Sequence, residues 1–171
     1  EKIRNDKSAK NQFHDCDGIL LLPGFGSRGS EGKILSCKYS RENNVPFLGL
    51  CLGLQCAVIE FARNVCGLVN ANSTEFDKNT KNPVVALVEE WREDSGKRIF
   101  ANMENMGGTM RLGSQECILA KGSLAYKMYS KTSIKERHRH RYEVNGNLVV
   151  DFEKNGLAFS GQSKEGNLME M

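Results

Sequence analysis

The sequence has no long apolar run, no signal-peptide pattern at its start and no cysteine pair at metal-ligand spacing. Its 171 residues include six cysteines, three histidines, three prolines and one tryptophan. The lack of an apolar run excludes an ordinary membrane-spanning helix, and the scattered cysteines exclude the common zinc motifs. These absences predict a cytoplasmic protein in a reducing compartment, with no metal and no membrane partner.

Charge is nearly balanced, with 24 basic residues against 21 acidic ones and a net charge of +3. This excess is too small to indicate binding to nucleic acid. Apolar residues make up 39% of the chain, which is enough for the core of one domain of this length. The composition therefore predicts a single globular domain that binds neither nucleic acid nor membranes.

The segment VPFLGLCLGLQ, residues 45–55, runs from an apolar strand into a helix. Cys51 lies at the turn, and Gly49 and Gly53 flank it at two-residue spacing. Two glycines around a nucleophile are typical of the cramped elbow that exposes a catalytic side chain. The backbone N–H of Leu52 would then point at an oxyanion. The alternative is a buried apolar cysteine at a glycine-containing strand end.

Periodicity elsewhere predicts alternating strands and helices, beginning with a strand–helix–strand–helix unit that leads into the elbow. A short charged insert is expected at 89–97, within an irregular stretch from Ala71 to Gly113. The predicted strands are 19–22, 45–50, 84–88, 116–119, 141–144, 157–161 and 168–171, and the predicted helices are 31–43, a helix after Gln55 and 124–129.

Four motifs, in sequence order, resemble those of class I glutamine amidotransferases: GLCLGLQ, ANSTEF at 71–76, GGTMRLG at 107–113 and ERHRHRYEVN at 136–145. The resemblance implies an α/β, three-layer, flavodoxin-like fold with a central, mostly parallel sheet flanked by helices. It also implies that residues 1–171 form one glutaminase domain, incomplete at both termini. In this family a cysteine hydrolyses glutamine through a thioester and supplies ammonia.

The same resemblance assigns site residues. Cys51 is the expected nucleophile, and the N–H groups of Gly24 and Leu52 are the expected oxyanion donors. Gln55, Glu75 and Arg141 are the expected glutamine-binding residues, with the planar guanidinium suited to the substrate carboxylate. Each has a plainer alternative: Gln55 could cap the elbow helix, Glu75 could be a surface carboxylate, and RHRHR could be a solvated basic edge strand or a nucleic-acid patch.

Two departures from the family pattern stand out. Pro23 occupies the place of a glycine in the loop before Phe25, which alters the number of donors and the shape of that loop. The family's catalytic His and Glu belong to a later motif that is not among these residues. His14 is expected to be exposed, while His138 and His140 should share one face of a strand; none of the three is expected to be the general base.

Among the family, the motifs match best those members whose N-terminal synthetase domain, absent here, uses ATP and Mg²⁺ to aminate UTP. GTP is the expected activator through the GGTMRLG loop, no cofactor is expected in this domain, and a homotetramer is expected. Two alternatives stay open: another class I glutaminase or γ-glutamyl hydrolase, and a non-catalytic regulatory or assembly module that retains the fold.

Overall fold

The computed structural model describes residues 3–87, 110–164 and 168–171. The chain divides into two compact units, Glu1–Val84 and Val85–Met171. Helices and strands alternate along both, which confirms the predicted α/β class. In the described ranges, no helix has the length and apolar character that crossing a membrane requires.

The first unit contains the parallel pairing that positions the elbow. β1 pairs with β2 in parallel, with Ile19 opposite Phe47 and Leu21 opposite Gly49. Because parallel strands end at the same edge, the loops that follow them lie side by side. The elements of this unit are α1 Asp6–Phe13, β1 Ile19–Leu21, α2 Ser30–Asn43, β2 Phe47–Gly49, α3 Leu52–Asn64, β3 Ala71–Ser73 and β4 Asn82–Leu87, the last of which runs into the second unit.

Helices α2 and α3 pack together through apolar side chains and one buried ion pair. Val58 and Ile59 of α3 are at most 1% exposed. Arg41 of α2 forms two contacts with the buried carboxylate of Glu60, Nη2 to Oε1 at 2.7 Å and Nε to Oε2 at 3.0 Å. Such a forked contact fixes the register of two helices as well as their distance, so the later turns of α3 are held against α2.

The second unit is mainly antiparallel. β5 lies between β6 and β8, with Arg111 opposite His140 and Cys117 opposite Ser163. β7 pairs with β4 in the antiparallel sense. Among the pairs of known register, parallel pairing is thus confined to β1 and β2, and the sheets are mixed. The elements are β5 Arg111–Leu119, α4 Leu124–Tyr129, β6 Ser133–His140, β7 Tyr142–Val144, a 3₁₀ turn Gly146–Leu148, α5 Val149–Lys154 and β8 Gly161–Ser163.

Most predicted elements are confirmed, and the helix 124–129 has the predicted bounds. The strand predicted at 157–161 is wrong apart from its last residue, and the strand predicted at 168–171 is only a single bridge between Met169 and Gln162. Helix α5 was not predicted, and the chain leaves it with Leu157 N–H bonded to the carbonyl of Phe152 at 3.0 Å. Phe159 then packs its ring against Phe152, with centroids 6.3 Å apart. The apolar residues of this segment therefore fill the core beside a helix end.

The middle of the chain is only partly described. The charged insert expected at 89–97 lies outside the described residues, as do the first three residues of GGTMRLG, 107–109. The end of that motif, Arg111–Gly113, forms the start of β5. The expectation of a loop is therefore wrong for these three residues, and the two adjacent glycines of the motif, 107 and 108, lie outside the described residues. β3, within the stretch predicted to be irregular, is also a strand.

Candidate active site

Cys51 occupies the sharp turn between β2 and α3, as predicted. Its backbone has φ 54° and ψ −105°, a conformation that non-glycine residues rarely adopt. Hydrogen bonds hold the turn on both sides: Leu50 N–H donates to Leu21 O, and Gly53 N–H donates to Leu50 O, each at 2.9 Å. Because the cysteine is only half-buried, its position does not fit a buried structural thiol.

The two glycines are needed because backbone segments touch at the elbow. A Cβ atom on Gly49 would lie 2.6 Å from the carbonyl carbon of Gly53 and 2.8 Å from the nitrogen of Leu54. A Cβ atom on Gly53 would lie 2.7 Å from the carbonyl oxygen of Leu21. Non-bonded carbon atoms do not approach so closely, so neither position accepts a side chain unless the backbone moves.

The two expected oxyanion donors lie on neighbouring loops. A Cβ atom on Gly24, which follows β1, would be 3.1 Å from Cδ2 of Leu52 at the start of α3. Within the described ranges, neither the N–H of Gly24 nor that of Leu52 donates a hydrogen bond to another residue. Both amides can therefore donate to a ligand.

The loop that contains Pro23 is anchored at both ends. Lys33 Nζ donates to the carbonyl of Leu22 at 3.0 Å, and Gly26 N–H donates to Oε1 of Glu75 at 2.6 Å. Gly26 has φ 71°, which suits glycine. The loop thus has fixed ends despite its proline. Nothing in the sequence pattern marks Lys33 for this contact, because a helical lysine ordinarily faces solvent.

Gln55 and Glu75 belong to the same unit as Cys51. Gln55 lies in the first turn of α3, where its N–H donates to Cys51 O at 3.2 Å and its side chain is buried. The N-cap residue of α3 is Cys51, four positions before Gln55. Glu75 contacts the loop after β1, as described above, and is therefore more than a solvated surface carboxylate.

Arg141 lies in the second unit, at the bend between β6 and β7. Its Nη1 atom is buried and has no hydrogen-bond partner among the described residues. Arg137 and Arg139 are exposed on β6, whereas His138 and His140 face inward. The prediction that His138 and His140 share one face is therefore confirmed. Arg141 does not share the exposed face of Arg137 and Arg139, because it lies beyond the end of β6, and a buried guanidinium atom with no described partner favours an anion ligand.

Behind this bend is a buried charged cluster, here called the His–Glu cluster, that consists of Arg111, His138, His140, Glu143 and Glu170. Arg111 lies between the two carboxylates, with Nη2 2.7 Å from Glu170 and Nη1 3.3 Å from Glu143. His138 Nδ1 and His140 Nε2 are 2.9 Å apart. His140 Nδ1 lies 3.3 Å from Glu143, and His138 Nε2 lies 3.3 Å from Glu170. Sequence reasoning missed this cluster, because its members are far apart along the chain.

Burial shifts the titration of this cluster. It raises the pKa of the Glu143 carboxyl to about 7, although Arg111 acts in the opposite direction. It lowers the pKa of both His138 and His140 below the ordinary value for histidine. The histidines are thus neutral near pH 7, while Glu143 titrates there.

Replacing Glu143 by glutamine should change how stability depends on pH. A raised carboxyl pKa stabilises the fold below pH 4.5, and this contribution is lost as the pH rises to about 7. The two histidines act in the opposite sense, because a lowered pKa gives stability that is lost as the pH falls. The free energy of unfolding of Glu143→Gln, measured relative to that of the parent, should therefore increase as the pH rises from 4.5 to 7. The increase should be up to about 3 kcal/mol.

The measurement is urea denaturation of both proteins at several pH values. The exposed Glu153→Gln is the matched control and should follow the parent at every pH. A constant difference between Glu143→Gln and the parent would contradict the shifted titration.

The histidine and the three buried cysteines outside the candidate site have environments that fit residues without a catalytic role. His14 is exposed, as predicted, beside Asp15. Burial raises the pKa of the Cys56 thiol to about 12 and that of Cys117 to about 11, and it raises that of Cys37 further. Those three thiols stay protonated and unreactive. No group of His, Cys, Asp or Glu within the described ranges is arranged to hold a metal.

The chain is similar to glutaminase parts of CTP synthases. It is 53% identical over 169 residues to CTP synthase of Sulfurisphaera tokodaii, covering 99% of this chain and 30% of that protein. It is 58% identical over 157 residues to CTP synthase of Methanocaldococcus jannaschii, covering 92% and 27%. A solved structure of the Trypanosoma brucei CTPS glutaminase domain with bound acivicin has a TM-score of 0.78 and 38% identity, over 92% of this chain and 56% of that one.

The chain therefore spans about a third or less of the length of these two CTP synthases. Its whole length, residues 1–171, matches the family described as glutamine amidotransferase class-I. Together with the elbow, this match shows that the chain belongs to the class I glutamine amidotransferase family.

Proposed function

We propose that the chain hydrolyses L-glutamine with Cys51 as the nucleophile. The sulfur attacks the side-chain amide carbon, the C–N bond breaks, and the nitrogen leaves as ammonia with one added proton, which gives a γ-glutamyl thioester. Water then attacks the thioester, the C–S bond breaks, and glutamate and the free thiol are released. The observation that carries this proposal is the elbow itself, because it exposes Cys51 at a helix start between two glycines that tolerate no side chain.

The negative charge that develops on the amide oxygen needs donors already in place. The amides of Gly24 and Leu52 suit this task, since they come from adjacent loops and donate to no described residue. Fixed backbone donors cost no reorganisation as the charge forms, which makes such pairs effective. The anchors at Leu22 and Gly26 keep Gly24 in position.

Recognition of the amino-acid end of glutamine calls for one cation, one anion and a polar contact. Arg141 suits the α-carboxylate, because its buried Nη1 lacks a described partner. Glu75 suits the α-ammonium, since one of its oxygens accepts from Gly26 and a carboxylate has a second. Gln55, one helical turn after the nucleophile, is proposed as the polar contact.

The proton transfers are not assigned to the three histidines. His14 is exposed, whereas His138 and His140 contact each other and the buried carboxylates of the His–Glu cluster. In the family, a His and a Glu of a later motif serve as the general base and as the carboxylate that orients it. We expect the proton transfers of this reaction to need the same two residue types.

By similarity to the CTP synthases, we propose that the ammonia is used to convert UTP to CTP. That step would need a synthetase domain with ATP and Mg²⁺, which activate the uracil oxygen as a phosphate ester. GTP activation, a homotetramer and a cytoplasmic location belong to the same proposal.

Covalent labelling tests the glutaminase proposal. The full gene product is incubated with diazo-oxo-norleucine, an electrophilic glutamine analogue, and the adduct is mapped by mass spectrometry. We expect a single adduct on Cys51 that excess glutamine prevents. The half-buried Cys66 and the exposed Cys16 serve as internal controls for general thiol reactivity.

Two results would contradict the proposal. Equal labelling of Cys16, Cys51 and Cys66 would mean that no glutamine pocket is assembled. Absence of labelling, with Cys51 still reactive toward iodoacetamide, would favour the non-catalytic module.

A further inference from the structure

The bend that carries Arg141 is spanned by a neighbouring side chain. His140 is the last residue of β6, and its ring reaches across Arg141 to the next strand. Its Nδ1 lies 3.2 Å from the carbonyl oxygen of Tyr142 and 3.3 Å from a carboxylate oxygen of Glu143. The backbone on both sides of Arg141 is thus tied to one imidazole.

These contacts fix the tautomer of His140. Its Nδ1 faces two acceptors, so it carries the proton, and burial keeps the ring neutral. Nε2 of His140 is then an acceptor, and it lies 2.9 Å from Nδ1 of His138. The other ring nitrogen of His138, Nε2, is buried and lies 3.3 Å from a carboxylate oxygen of Glu170, so His140 and Glu170 both face the ring of His138 as acceptors.

The cluster also fixes where this bend can lie. Arg111 on β5 is directly opposite His140 and contacts Glu143 on β7 as well as Glu170 near the end of the chain. A connected, buried set of charges has few alternative arrangements, because moving one member leaves another unpaired. The conformation of the bend therefore depends on contacts from three segments of the second unit: β5, β7 and the segment that contains Glu170.

We propose that His140 is a positioning residue for Arg141. The imidazole of His140 holds the Arg141 guanidinium in the orientation that binds the α-carboxylate of glutamine. The inference rests on the proposed glutaminase function. His140 touches no reacting atom in this scheme. Its imidazole donates to the Tyr142 carbonyl and so fixes the backbone on both sides of Arg141. His138 and Glu143 in turn hold the imidazole in place.

Two substitutions of His140 separate the two contacts of the imidazole. An asparagine amide nitrogen takes the place of Nδ1, so His140→Asn keeps a donor for Tyr142 and loses the link to His138. A glutamine amide reaches the place of Nε2, so His140→Gln keeps the contact with His138 and loses the hydrogen bond to the Tyr142 carbonyl. His14→Gln is the matched control, since His14 is exposed and outside the site.

The readout is inactivation of the full gene product by diazo-oxo-norleucine, resolved into the inhibition constant KI and the limiting rate. For His140→Gln we expect KI to rise roughly tenfold with an unchanged limiting rate, the loss typical of one good hydrogen bond to a binding group. For His140→Asn we expect KI within about threefold of the parent. Arg141→Lys serves as the reference for loss of the carboxylate contact and should raise KI at least as much as His140→Gln.

The failures are distinguishable. If glutamine does not protect the parent, the glutaminase proposal itself fails; if Arg141→Lys leaves KI unchanged, the proposed carboxylate contact of Arg141 fails and the inference about His140 with it. If both hold but His140→Asn and His140→Gln raise KI equally, His140 is merely structural and the inference is overturned.

A second measurement covers the case in which a variant does not fold. Nitrogen-15 NMR of the parent should show His140 as a neutral Nδ1–H tautomer near pH 7. It should also show a change at His140 when glutamine binds. An Nε2–H tautomer at His140 would overturn the inference without any variant.

Discussion

Replacing Cys51 by alanine should reduce glutamine hydrolysis by at least about a thousandfold, the loss typical of removing a catalytic nucleophile. Alanine fits the elbow, since it removes only the sulfur and adds nothing where the backbone is crowded. The fold should therefore persist, with a urea midpoint close to that of the parent. Glutamate release from glutamine is the direct assay.

The matched control is Cys66→Ala, a half-buried cysteine just beyond α3, which should hydrolyse glutamine at the parental rate. In the full gene product, the proposed ligase activity offers a second control. Amination driven by added ammonium should survive in Cys51→Ala, because it bypasses the thioester. If glutamine hydrolysis survived as well, Cys51 would not be the nucleophile.

Replacing Gly53 by alanine should destabilise the protein by about 2–4 kcal/mol, even though this change in a helix usually stabilises by up to about 1 kcal/mol. The reason is steric. The new methyl group would lie 2.7 Å from the carbonyl oxygen of Leu21 and 3.0 Å from its Cβ, so β1 and α3 must separate. That separation also moves Cys51, and labelling by diazo-oxo-norleucine should fall with stability.

Urea denaturation measures the first effect and labelling the second. Gly32→Ala is the control within helix α2: its methyl group would lie 3.3 Å from the nearest atom, the carbonyl oxygen of Ile3. We expect a change within about 1 kcal/mol for it. A stable, fully reactive Gly53→Ala would show that the elbow is looser than its geometry indicates.

The elbow could be predicted because its information is local. Gly49, Cys51 and Gly53 occupy one short segment, and the switch from strand to helix is visible in the apolar spacing around them. The same holds for Leu124–Tyr129, where Ser123 accepts from the N–H of Tyr126 and so begins the helix. Helix caps and apolar periodicity involve residues that are close in sequence, so they predict such elements without knowledge of the fold.

The His–Glu cluster could not be predicted, because its definition is tertiary. Arg111 and Glu170 are 59 positions apart in the sequence, and only the register of β5 with β6 and the position of the chain end bring them together. Nothing in the residues around Glu170 distinguishes it from a surface carboxylate. The alternation of RHRHR predicted that the two histidines share one face of a strand, but not that this face is buried or what the histidines contact there.

The crowding at Gly49 and Gly53 also limits how this protein can change over evolutionary time. Three backbone segments meet there with no side chain between them, so the position of the sulfur depends on the whole framework of the sheet and cannot be adjusted by single substitutions. Variation in reactivity must then come from the surrounding loops. The Pro23 loop, anchored at its ends by Lys33 and Glu75, is where a change of sequence can alter the chemistry and leave the framework intact.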